Sequence, residues 1–217
     1  MIAKFVSTEL RVLEKIPRHL RHPDVEDLDL TDKILMVLGM KWSLNDDTFR
    51  FSLDLEDINI CTKRQLLSHV AQIFDPCGLV SFATTPGKLL VQQCFRENLG
   101  WDDQLPEHIH ARVEEWIGKL EFLNTIRIPR RISLLPDSNS AVVSQELHLL
   151  SDASESLYAA VAYVRSLKPD GSIDVRMIAS KTRLAPMKGM TVPRLELCAC
   201  LLAARLAMAI ERELDIK

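Results

Sequence analysis

The 217-residue chain has no run approaching the roughly 20 consecutive apolar residues that a helix needs to cross a bilayer, so no membrane association is expected. Its first residues, MIAKFVSTELRVLEK, carry charges every few positions and lack the apolar core of a secretory signal. The five cysteines, Cys61, Cys77, Cys94, Cys198 and Cys200, are odd in number and contain no CxxC pair. That argues against a zinc site and against a secreted disulfide scaffold, and leaves reduced, mostly buried thiols in an intracellular protein as the expectation. Basic charge is not in excess: the formal net charge is −3, so any nucleic-acid binding must rest on local patches. Internal repeats and low-complexity tracts are absent too. What remains, 47% hydrophobic and 26% charged, is ordinary globular material, enough for one large domain or two small ones.

Two kinds of periodicity divide the chain. Residues 3–16 read as a short helix broken by the prolines of IPRHLRHPD. ILMVLGMKW (34–42) and TFRFSLDL (48–55) read as two strands joined by a SLNDD turn, with Asp46-Asp47 at an exposed hairpin tip. Three helices follow. The first is capped by Thr62, with Leu66, Val70 and Ile73 at helical spacing, and is stopped at Asp75-Pro76. The second is expected to open at TTPG, with Pro86 in its first turn. The third carries Ile109, Val113, Trp116, Ile117 and Leu120 as an apolar stripe. Residues 127–144 read as a connector with a short strand. Then QELHLLS, SLYAAVAYVRS and SIDVRMIASKT read as three strands, the middle one apolar on both faces. The third of them is expected to alternate Ile173, Val175, Met177 and Ala179 against Asp174, Arg176 and Ser180. Thr191 and Pro193 open a long final helix. The order β-β-β-α predicts an α+β fold: a hairpin and helical module followed by an antiparallel meander with a helix laid over it.

Two acids stand out. Asp152 sits where the first two strands of the meander adjoin, and Glu196 interrupts the otherwise apolar final helix. At 100° per residue Glu196 shares a face with Ala199, Cys200, Ala203, Ala207, Ile210 and Leu214, with Arg194, Arg205 and Arg212 opposite. A bare carboxylate on a packing face costs several kcal/mol unless paired, solvated or bound to a cation. Taken singly, Asp152 reads as an Asx-turn residue ending a strand, and Glu196 as a first-turn acid stabilised by the helix dipole. Together in one small unit they suggest a hard-oxygen site for a divalent cation such as Mg²⁺, the start of two-metal phosphodiester hydrolysis.

The segments VLGMKW, TKRQLLSHVAQIFDPCGLVSF, LLSDASESLYAAVAYV, ASKTRLAP and VPRLELCACLLAARL, in that order, resemble the pol polyprotein of BEL/Pao-type LTR retrotransposons. The resemblance implies a retroelement polymerase fragment. Residues 1–55 would be the end of a reverse-transcriptase palm and 56–125 its thumb and connection helices. After a connector at 126–145, residues 146–217 would form the N-terminal part of a ribonuclease H domain, truncated after its β-β-β-α unit. It further implies that Asp152, in DAS, and Glu196, in RLEL, are catalytic and metal-ligating. Two more aspartates are expected beyond this stretch, and Asp215, too early on the helical tail, is not one of them. Mg²⁺ therefore belongs only to a complete ribonuclease H domain, and these residues alone are expected to be catalytically incomplete. The expected partners are template-primer or RNA:DNA hybrid and the rest of the polyprotein, with no membrane. The expected location is intracellular, in cytoplasm or virus-like particle, with the nucleus as a further option.

Candidate phosphate contacts are Lys63, Arg64 and Lys88 on the helical module and Arg127, Arg130 and Arg131 in the connector. Trp42, Trp101 and Trp116 read as core rather than as stacking platforms. Two alternatives stay open. The region's family also carries the label Pao retrotransposon peptidase, although an aspartic peptidase needs Asp-Thr/Ser-Gly and DAS supplies neither the order nor the glycine. The other is a domesticated, non-enzymatic interaction module.

Overall fold

The computed structural model describes residues 4–37, 40–55, 58–132 and 143–214. Leu38 and Gly39 of the LGMKW motif, most of the connector, and Asp215 lie outside the described residues. The fold is α+β, with antiparallel sheets and helices. The chain divides into two units, residues 1–54 with 121–131, and residues 55–120 with 132–217.

The first unit begins with helix α1 (Leu10–Lys15) and two short 3-10 turns, then a four-stranded antiparallel sheet in the order β1-β2-β3-β4. Its strands are β1 (Ile34–Val37), β2 (Met40–Ser43), β3 (Thr48–Arg50) and β4 (Arg127–Pro129). The run expected to be one strand over 34–42 is two, because Val37 pairs with Met40 and β1 folds back on β2. An apolar run carries no record of a reversal inside it, which is why periodicity missed it. The expected 48–55 strand shortens to β3, and β4 supplies its second neighbour, Phe49 opposite Ile128. Leu13, Val25, Leu35, Trp42 and Leu44 form the core. Asp46 and Asp47 do not form a bare tip. Asp47 accepts a 2.8 Å hydrogen bond from Trp42 Nε1 and 2.7 and 3.2 Å bonds from Arg130, whose guanidinium stacks 4.5 Å over the Trp42 ring. Asp46 accepts from Thr48 and Arg50, and the Ser43 hydroxyl, more than these two, holds its carboxyl far below the usual carboxylate range.

The second unit joins three helices to the meander: α2 (Lys63–Gln72), α3 (Ser81–Arg96) and α4 (Glu107–Leu120), then β5 (Ser144–Ala153), β6 (Leu157–Leu167), β7 (Ile173–Leu184) and α5 (Val192–Leu214). Thr62 caps α2 in a reciprocal capping box with Gln65, as its sequence position predicts. Helix α4 buries Ile109, Val113, Trp116 and Leu120. Helix α3 starts five residues before Pro86 rather than at it. Just ahead of it, the two carboxylate oxygens of Asp75 accept the Leu79 and Val80 N–H groups at 2.7 and 2.8 Å, so the residue read as a helix stop also fixes the turn that leads into α3.

The sheet order β5-β6-β7 is antiparallel throughout, with β6 in the centre. Only one face of β6 is fully buried, where Ala160, Ala162 and Val164 pack under Leu206 and Ile210 of α5. Ala159, Val161 and Tyr163 on the other face are half-buried, so the two-faced burial expected for this strand holds on one side only. On β7 the expected alternation breaks at a bulge: Met177 pairs with Tyr163 but Ala179 with Ala162, putting these two residues on opposite faces. The strand also carries the segment before α3. Ser180 N–H donates to the Cys77 carbonyl at 2.8 Å, Ser180 Oγ to the Gly78 carbonyl at 2.5 Å, and Gln92 to the Ala185 carbonyl at 2.7 Å. The helices and the meander are therefore one hydrogen-bonded body.

Candidate functional site

Asp152 is the penultimate residue of β5, opposite Ala159. Its side chain is exposed, and its Oδ1 accepts the N–H of Ala153 at 2.8 Å, the local turn bond that ends a strand. Strand alternation turns Leu150 and Asp152 to one face and Leu147, Leu149 and Ser151 to the other, where Leu147 and Leu149 pack against the α5 core and Ser151 Oγ lies 3.9 Å from Cys200 Sγ. Asp152 instead borders an apolar cleft of about 410 Å³ on the far face, shared with Tyr163, Met177 and Phe82.

Glu196 sits in the opening turns of α5, whose first free N–H groups, those of Arg194 and Leu195, bond to the Thr191 carbonyl. The helix is rotated by about one position from the wheel expected for it. Leu195 and Ala199, not Glu196 and Cys200, fill the N-terminal part of the packing face, and Leu206 and Ile210 continue it. Bulky Leu195 gains more from burial than a carboxylate would, so Glu196 is left half-buried on the flank. The end of β5 and the opening of α5 thus come together through Ser151 and Cys200, while Asp152 leaves the sheet on the other face. Among the described residues no three His, Cys, Asp or Glu side chains cluster closely enough to hold a metal ion. The residues present therefore do not by themselves fit a divalent-cation centre.

The six expected phosphate contacts fare differently. Lys63 is buried: its ammonium donates to the Leu99 carbonyl and lies 4.2 and 4.7 Å from the Phe95 and Trp101 ring centres, so it is a packing residue, corrected by its burial. Arg64 is exposed but forms a bidentate pair with Asp102, at 2.7 and 2.9 Å, and this pairing holds the Asp102 carboxyl below its usual range. Lys88 is exposed on α3. Arg127 donates to the Asn124 and Ile126 carbonyls, Arg130 is tied to Asp47, and Arg131 is exposed at the end of the first unit. Trp42 and Trp116 are core, as expected, whereas Trp101 is 43% exposed and meets Phe95 edge-on.

Two features escaped the sequence reading. One is the Asp75–Ser81 segment on β7, whose partners lie about a hundred positions away and leave no local pattern. The other is a second cleft, lined by Lys181, Arg183 and Arg205, where the available signal was the i, i+2 spacing of two cations on one strand. Among the described residues no helix is long and apolar enough to cross a membrane.

No curated protein matches the chain. The family model described as the Pao retrotransposon-like RNaseH-like domain matches residues 62–217, a span that takes in the helices, the meander and both acids. The chain belongs to the Pao retrotransposon-like RNaseH-like domain family.

Proposed function

We propose that the chain is a segment of a retrotransposon polymerase that binds RNA:DNA hybrid or template-primer and does not cut it unaided. In this reading residues 1–55 close a reverse-transcriptase palm, residues 56–125 supply thumb and connection helices, and 146–217 open the ribonuclease H domain. The observation that carries the reading is the order β5-β6-β7-α5, with Asp152 at the end of the first strand and Glu196 in the opening turns of the helix that covers the sheet.

Asp152 and Glu196 are the acids this segment contributes. When bound, a divalent cation supplies the activation of water and the stabilisation of the leaving oxygen in phosphodiester hydrolysis. Two carboxylates on different faces of an edge strand and a helix do not hold it alone, and further acids are required. Exposed Lys88 and Arg64 are the candidate phosphate contacts on this unit, with Arg127, Arg130 and Arg131 on the other, and Lys63 drops out of that role. The setting is intracellular. Peptide hydrolysis finds no support, because Asp152 stands in Asp-Ala-Ser on an open antiparallel sheet.

Mixing the purified chain with a labelled RNA:DNA hybrid and Mg²⁺ or Mn²⁺ tests the proposal. Retarded but uncut hybrid is expected. Cleavage that disappears in Asp152→Asn would overturn the claim of incompleteness, and failure to bind any hybrid would overturn the reading as a whole.

A further inference from the structure

On the α5 side of the sheet, away from β5, α5 and the outer strand β7 enclose a cleft of about 290 Å³. Lys181 and Arg183 enter it from β7, two positions apart on one face and hence about 7 Å apart along the strand. Arg205 enters from α5, and Tyr158, Leu201 and Leu206 form the apolar part of the wall. No carboxylate is among the lining residues. Lys181 Nζ is 3.3 Å from the Pro76 carbonyl, while Arg183 and Arg205 have no ion-pair partner among the described residues. Arg64, Arg165, Arg176 and Arg212 each face an acid, whereas Arg96, Arg112 and Arg194 share with Arg183 and Arg205 the lack of an ion pair among the described residues.

With the Lys181 ammonium turned to Pro76, Arg183 and Arg205 bring two like charges to one concave, partly apolar wall, and an anion seated between them relieves their repulsion. Arginine forks suit a planar or tetrahedral oxyanion, and a tyrosine ring with leucines beside them suits a sugar or base rather than a bare ion. We infer that this cleft is a phosphate-binding site for a nucleic-acid strand, distinct from the Asp152 and Glu196 region. Asp152, Ala159 and Thr182 stand in register across the three strands, and Thr182 lies between Lys181 and Arg183. The cleft therefore lies at the level of Asp152 along the strands but on the opposite, α5 face of the sheet, since Asp152 and Thr182 turn to the other face. Its role is to anchor a strand on the α5 face of the meander. That the anion belongs to nucleic acid rests on the function proposed above, whereas the anion site rests on the cleft alone.

The test compares Arg183→Gln/Arg205→Gln with Arg96→Gln/Arg212→Gln, which removes the same charge from exposed residues outside the cleft. Two probes are used: a fluorescently labelled RNA:DNA hybrid, read by anisotropy over a salt series, and inorganic pyrophosphate, read by its effect on melting temperature. The cleft variant is expected to bind hybrid about tenfold more weakly, with a salt slope shallower by about 1 to 2, while the control changes little. Pyrophosphate is expected to raise the melting temperature of the wild type and the control but not of the cleft variant. If pyrophosphate behaves this way and hybrid does not bind, the anion site stands and the hybrid reading fails. If both variants respond alike to both probes, the cleft is ordinary surface and the inference is overturned.

Discussion

Gly78 is the residue at which the helices and the meander depend most visibly on each other, and Gly78→Ala is the sharpest test of that dependence. Its φ is +73°, a region that costs an L-residue about 1–2 kcal/mol. A methyl group there would also stand 2.2 Å from the Ser180 carbonyl oxygen and 2.6 Å from its Oγ, closer than any real contact. Backbone cannot yield as a flexible side-chain tip can, so the 75–81 segment has to back away from β7. Retreat breaks the Ser180 N–H bond to Cys77 and the Ser180 hydroxyl bond to Gly78, and pulls Ser81 Oγ from its 2.9 Å contact with Ser180 Oγ. Ser180 is buried, so each group left without a partner costs about 1–3 kcal/mol. The sum is about 3–8 kcal/mol, a large fraction of the stability of an ordinary domain. Gly171→Ala is the matched control, because its φ is +80° and nothing lies within 4 Å of the added methyl. It carries only the backbone term, about 1–2 kcal/mol. Urea denaturation of both variants should show Gly78→Ala the less stable by at least about 2 kcal/mol, with hydrogen exchange accelerated in α3 and β7 together. Equal losses in the two variants would refute the close approach of this segment to β7.

Lys63→Met should destabilise the chain by about 1–3 kcal/mol, since the Leu99 carbonyl loses its donor and two rings lose their cation; the salt dependence of hybrid binding should stay unchanged, and a shallower slope would return Lys63 to the phosphate contacts. Asp46 has a folded-state pKa depressed by Ser43, then Arg50 and Thr48, so its stabilisation is complete above about pH 4 and is lost as pH falls through the lower folded value. Acid titration of unfolding should therefore be shallower below about pH 4 in Asp46→Asn than in the wild type, and identical slopes would contradict the hydrogen bonds assigned to it.

The meander was legible because strand alternation and turn residues agree over 146–184, and the α2 and α4 helices because their caps and apolar stripes lie within one window. Reversal inside Ile34–Ser43, the Asp75 bonds that fix the turn into α3 and the burial of Lys63 were not, because each depends on a partner that the local pattern does not contain. The acids show the same division. Asp152 and Glu196 were identifiable as isolated charges in apolar runs, but their faces depend on a one-residue choice: Ser151 rather than Asp152 meets α5, and Leu195 rather than Glu196 fills its packing face. Alternation fixes which residues share a face and leaves open which face is covered.

The most direct measurement maps hybrid onto the chain residue by residue, by amide chemical-shift perturbation. The account predicts shifts at Asp152–Ala153, across Ala159 to Thr182, and in the first turns of α5 around Glu196. Binding that leaves these amides unmoved, or that perturbs only residues of the β1–β4 sheet, would contradict it.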